Sequence, residues 1–176
     1  LGFILKEDTL AGHLEITEAL HHSFSGTWEQ IWGEDRIVEN NYHEMTIRVQ
    51  KTSAPKRKFN VVFRLFNDGF GFRYEFPEQE ALKDFVIMDE LTEFALTGDH
   101  KAWSIPYEAH FYEALYEASP VSKLGWVSTP LTMETNDGLF LSIHEANLTD
   151  YAAMNLIPKE GSMTLKANLT PWSTGE

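Results

Sequence analysis

The chain has 176 residues, 43% hydrophobic and 13% aromatic, which is ample for a packed core and too apolar for a disordered chain. Fourteen basic against 27 acidic residues give a net charge of −13, a field that repels phosphate backbones and argues against a nucleic-acid partner. The absence of cysteine excludes disulfides and thiolate sites, and no apolar run reaches the roughly 18 residues of a membrane-spanning helix.

In chain order, the texture is short alternating segments punctuated by turn residues, the pattern of an antiparallel sandwich. Leu1 stands where a methionine would begin a gene product, so the chain reads as a processed or excised piece. Met45, Ile47 and Val49 alternate with Glu44, Thr46, Arg48 and Gln50, which predicts a strand, and a polar loop follows over 52–58. Phe59, Val61, Phe63 and Leu65 then alternate up to Asn67-Asp68-Gly69, and Phe70, Phe72, Tyr74 and Phe76 alternate away. Asn, Asp and Gly tolerate the positive φ of tight hairpin turns, so this is the clearest hairpin in the sequence. Residues 85–97 read as one or two strands with Thr92, Phe94 and Leu96 on one face. Residues 107–118 carry helical spacing (Phe111, Leu115, Ala118) between Pro106 and Pro120, although an ordered loop fits equally. A second Asn-Asp-Gly hairpin is predicted over 131–143, and a last strand over 163–169. No internal domain boundary is legible, and the end of the chain reads as the start of a connection to a further part.

The second hairpin carries the main chemical candidate. Leu139, Leu141 and Ile143 share a face by the period-2 rule, and one further step puts Glu145 on that face. A lone carboxylate in apolar surroundings costs several kcal/mol unless a positive group meets it. Glu145 is therefore expected either in water at the sheet rim or against a cation. As a ligand it would suit a hard ion such as calcium, which takes carboxylates from separate chain segments.

Other chemistry finds little support. The seven histidines His13, His21, His22, His43, His100, His110 and His144 form no His-Glu-x-x-His arrangement for zinc. No nucleophile elbow, phosphate loop or dinucleotide fingerprint is present. Trp28, Trp32, Trp103, Trp126 and Trp172 would stack on sugar rings if exposed, but the expectation is that they close the ends of a core. Asn147-Leu148-Thr149 and Asn168-Leu169-Thr170 match the glycosylation sequon, a weak signal.

A set of segments falls in order along nearly the whole chain. The first half holds Leu1-Gly2-Phe3-Ile4-Leu5, Trp32-Gly33-Glu34-Asp35, Asn41-Tyr42-His43-Glu44, and Phe63 to Gly69 continuing through Phe72-Arg73-Tyr74-Glu75-Phe76-Pro77. The second half holds Asp89-Glu90-Leu91-Thr92-Glu93-Phe94, Thr97-Gly98-Asp99-His100-Lys101, Thr129-Pro130-Leu131-Thr132-Met133, Ile143-His144-Glu145-Ala146 and Thr170-Pro171-Trp172. With these segments the chain resembles the amino-terminal domain of glycoside hydrolase family 97, bacterial α-glucosidases and α-galactosidases. The resemblance implies an all-β fold, a large antiparallel β-super-sandwich of the galactose-mutarotase type, as a single domain over residues 1–176. It implies a catalytic (β/α)8 barrel beyond Trp172, so that no catalytic acid or base lies in this chain. It also implies that Glu145 reaches toward the active site as a ligand of a calcium cofactor. The expected whole is an exo-acting, calcium-dependent α-glucosidase that removes terminal α-linked glucose from an oligosaccharide, with the barrel as this domain's partner and a periplasmic location.

Two rivals belong to other classes. A stand-alone carbohydrate-binding sandwich would use Trp28, Trp32 or Trp103 as stacking platforms and need no metal. A mutarotase-type epimerase would need an acid–base pair in one concave face, and His144 with Glu145 point to opposite faces.

Overall fold

The computed structural model of the protein describes residues 1–108 and 113–171. In chain order the strands are β1 (Phe3–Leu5), β2 (Thr9–Leu10), β3 (Leu14–Glu29), β4 (Ile37–Lys51), β5 (Lys58–Leu65), β6 (Phe70–Glu75), β7 (Ile87–Glu90) and β8 (Glu93–Ala95). They continue as β9 (Lys101–Ser104), β10 (Glu117–Pro120), β11 (Val127–Ser128), β12 (Leu131–Glu134), β13 (Phe140–Ile143), β14 (Met154–Pro158) and β15 (Thr164–Leu169). Apart from one 3-10 turn at Val121–Lys123, no helix occurs among the described residues, and every strand pairing is antiparallel. The all-β antiparallel sandwich read from the sequence is the fold observed.

The chain divides into two compact units, one formed by Leu1–Ala11 with the chain from Phe85 onward, the other by Gly12–Asp84. The first unit holds three sheets, ordered β2-β1-β7, β10-β9-β12-β13 and β11-β14-β15-β8. The last two face each other across its core. Ala102, Leu131 and Met133 come from one, Val127, Leu156, Leu165 and Ala167 from the other, and all are essentially inaccessible. Burying each large aliphatic side chain there contributes about 1.5–3 kcal/mol. Phe94, Leu96, Ile143 and Met154 pack around this cluster, and Thr92, Phe94 and Leu96 share a face as the alternation predicts.

The second unit is one sheet, ordered β3-β4-β5-β6. Met45, Phe63 and Phe72 stand in one row, Val49 pairs Phe59, and Ile47 pairs Val61, so the apolar alternation of three strands lands on one face. β5 pairs β4 only over 43–50. The stretch of β4 before His43 pairs with β3 alone among the described residues, as a two-stranded ribbon.

Both hairpins form where the sequence places them, with different turns. At 66–69 the Phe66 N–H donates to the Gly69 carbonyl at 2.8 Å, and Gly69 stays out of the left-handed region. At 135–139 Gly138 has φ 83°, and the Thr135 N–H donates to the Leu139 carbonyl at 2.9 Å. In the region given helical spacing, residues 109–112, including Phe111, lie outside the described residues. Its end departs from the helical reading: Ala118 lies in β10, paired with Trp103 of β9.

Candidate metal-ligating site at the end of β13

β13 ends at Ile143, opposite the fully buried Leu131. Ser142 and His144 are exposed, while Ile143 and Glu145 are half-buried. The alternation therefore continues two residues beyond the last ladder pair. It weakens in the other direction, since Leu139 and Leu141 on the same parity are exposed.

The Glu145 carboxylate accepts a hydrogen bond from the Met154 N–H, the first residue of β14. Burial pushes the Glu145 carboxyl above the usual carboxylate range; the Met154 amide opposes that shift, and the charge of Glu90 adds to it. Glu90, the last residue of β7, is 8% exposed. Its Oε1 accepts from the Thr92 hydroxyl at 2.6 Å and its Oε2 from the Tyr151 hydroxyl at 2.8 Å. Lys159 pairs with Glu93 and Lys166 with Asp89, and no described lysine or arginine acts on the Glu145 carboxyl. Two neighbouring carboxylates, one buried and one half-buried, thus stand without a cation among the described residues.

That donor chemistry fits a hard divalent ion, which takes about six to eight oxygen ligands. The set is partial: no group of three or more His, Cys, Asp or Glu able to hold a metal occurs among the described residues. Among the candidates read from the sequence, Glu145 is the residue whose carboxylate suits such an ion.

The remaining candidates do not converge. His21 and His22 lie exposed on β3, His43 is bonded to the Ser23 hydroxyl at 2.8 Å, and His100 is buried with Nε2 3.2 Å from the Thr97 hydroxyl. His110 and Trp172 lie outside the described residues. The tryptophans need a correction. Trp28, Trp32 and Trp126 are 50%, 85% and 52% exposed, so within this chain they close no core. The first two sit on the β3–β4 ribbon and its tip, where no opposing layer in their own sheet covers them. Trp103 is engaged by Phe140, ring centroids 6.0 Å apart, and by the Lys101 ammonium 4.4 Å from its ring. Two open concavities, of about 600 and 320 Å³, lie along that ribbon, and neither includes Glu145 in its lining.

A family model described as glycosyl-hydrolase 97 N-terminal matches residues 1–174. The chain belongs to this family. Among solved structures, a glycoside hydrolase family 97 enzyme from Pseudoalteromonas sp. strain K8, in complexes with acarbose and with panose, superposes with a TM-score of 0.94 at 38% identity. That likeness covers 99% of this chain and 27% of the other. A retaining alpha-galactosidase from Bacteroides thetaiotaomicron is 27% identical over 150 residues, which is 77% of this chain and 21% of that protein. A beta-arabinopyranosidase structure superposes with a TM-score of 0.85 at 18% identity, covering 96% of this chain and 29% of that one, a likeness of fold alone. This glycosyl-hydrolase 97 N-terminal chain thus spans about a quarter of the length of the relatives it matches.

Sequence reasoning missed Glu90 and Tyr151 as parts of the site. Glu90 entered only inside the Asp89-Glu90-Leu91-Thr92 segment. Its approach to Tyr151, 61 positions later, is a tertiary contact that no local pattern announces.

Proposed function

We propose that this chain is the amino-terminal, substrate-side domain of a calcium-dependent α-glycosidase, and that it contributes Glu145 to a calcium site completed by a downstream barrel. The observation that carries this reading is the carboxylate pair of Glu145 and Glu90, drawn out of water with no positive partner among the described residues. Such a pair is costly in a finished protein unless a cation joins it. Family membership supports the setting, a larger glycoside hydrolase.

The chain's own work in this reading is positioning. The Met154 N–H fixes one lone pair of Glu145, leaving other lone pairs free for an ion. A calcium ion held there supplies a fixed positive charge that orients groups around the terminal sugar and tunes nearby carboxylates. Protonation of the leaving oxygen and attack at the anomeric carbon fall to carboxylates of the barrel, whose separation decides between inversion and retention. The substrate we propose is a terminal α-glucoside, supported by the higher identity to the enzyme crystallised with panose, a glucose trisaccharide, than to the α-galactosidase.

The test is a rate comparison with the full-length enzyme. It should hydrolyse an aryl α-glucoside faster than the matching α-galactoside, lose activity on chelation, and recover it with calcium. Glu145→Gln should lower the rate at limiting calcium about tenfold or more, since even outer-shell changes at metal sites cost about 10–100-fold. Activity indifferent to chelator contradicts the calcium role, and a preference for the galactoside contradicts the substrate.

A further inference from the structure

Glu90 presents a puzzle that the ligand role of Glu145 does not answer. A carboxylate only 8% exposed, with both oxygens committed to neutral hydroxyls, is a costly way to tie two segments together. A glutamine could accept from one hydroxyl and donate to the other without burying a charge. The choice of a carboxyl side chain there therefore calls for an explanation.

The surroundings supply one. Tyr151 stands near the end of the segment that leaves β13 after Ile143, carries Glu145 and returns at Met154. That return is fixed at successive points. The Tyr151 hydroxyl donates to Glu90 at 2.8 Å, and the Ala153 carbonyl accepts from the Thr170 N–H at 2.8 Å. The Met154 carbonyl accepts from the Thr129 hydroxyl at 3.0 Å, and the Met154 N–H holds Glu145. On the other side, Thr92 is 1% exposed and its carbonyl accepts from the Ala167 N–H at 2.9 Å, so Glu90 is clamped against β15. The loop carrying Glu145 is thus pinned to the sheet through one buried carboxylate whose charge lies beside it.

We propose that Glu90, held by Thr92 and Tyr151, is a positioning residue for a divalent cation: it fixes the Glu145 loop and adds a second negative charge near the ligating one. The inference rests on the reading of Glu145 as a calcium ligand. Buried groups of this kind that orient a ligand contribute about 10–100-fold to metal affinity. Their charge raises the demand for the ion, while their rigidity removes the ordering cost of the loop.

The experiment is a calorimetric titration of the full-length, chelator-stripped protein with calcium chloride, beside thermal unfolding of the stripped protein. Glu145→Gln is the control and should weaken calcium binding most. Glu90→Gln, which keeps the hydroxyl bonds and removes the charge, should weaken it about tenfold or more without lowering the metal-free Tm, and Glu90→Asp should restore part of the loss. Tyr151→Phe, the mildest change, should weaken binding severalfold and keeps the test available if Glu90→Gln fails to fold. Wild-type calcium affinity in both Glu90→Gln and Tyr151→Phe, with Glu145→Gln impaired, overturns this inference and leaves the ligand reading standing. Wild-type affinity in Glu145→Gln overturns both.

Discussion

At the scale of single residues the proposed calcium site turns on Glu145. Burial raises its carboxyl above the ordinary value. The contribution of this group to folding is therefore fully present below the unfolded-state pKa and is lost as pH rises through the higher folded-state pKa. An ionised Glu145 burdens the metal-free fold at neutral pH, so Glu145→Gln should make the metal-free chain more stable than the parent there, with the gap closing on acidification. Thermal unfolding in chelator across that range measures it, and coincident Tm values at neutral pH would count against a desolvated carboxylate. A calcium ion bound there would compete with the same proton, so on the proposed reading affinity should fall on acidification sooner than for an ordinary surface glutamate. The half-burial of Glu145 was legible in the sequence because strand parity outlasts the ladder by one step. Its companions were not, since Glu90 and Tyr151 meet only through tertiary structure.

Among the elements, the two Asn-Asp-Gly hairpins test how much a shared motif determines. Gly138 has φ 83° and open space where a Cβ would project, so Gly138→Ala meets backbone strain alone, about 1 kcal/mol. Gly69 is equally open but avoids positive φ, so Gly69→Ala should change stability by no more than about 0.5 kcal/mol. Denaturant unfolding of both variants checks the contrast, and equal losses would refute the difference in turn type. Strands with one buried face were readable: β12 and β15 alternate because a core selects alternate side chains. β3 escaped notice because its burial never alternates; it is an edge strand, exposed on nearly every residue, with a register shift between Ile16 and Glu18. A hydrophobic period cannot reveal a strand with no buried side. The tryptophan expectation failed for the same reason: Trp32 sits on a ribbon tip without a core behind it. Trp32→Ala should leave the stability of this chain within about 0.5 kcal/mol, whereas Leu156→Ala, in the centre of the first unit, should cost about 2–5 kcal/mol. A large loss at Trp32 would place that side chain in a core after all.

For the whole molecule, the fold class was legible because turn residues and alternation recur along the chain. The completed site was not, because about three quarters of the matched enzyme lies beyond what this chain covers. A net charge of −13 favours cations in general, yet the described residues gather no set of three ligands at one point. Residues 1–176 alone should therefore bind calcium far more weakly than the full-length enzyme, and a tight site in the isolated chain would contradict the division of ligands proposed here. The most direct measurement is a crystal structure of the full-length enzyme grown with calcium. An ion is expected about 2.3–2.6 Å from a Glu145 carboxylate oxygen, with the Tyr151–Glu90 bond intact behind it. A Glu145 carboxylate facing solvent, or paired with a lysine or arginine of the barrel and no ion, would contradict the calcium-ligand role.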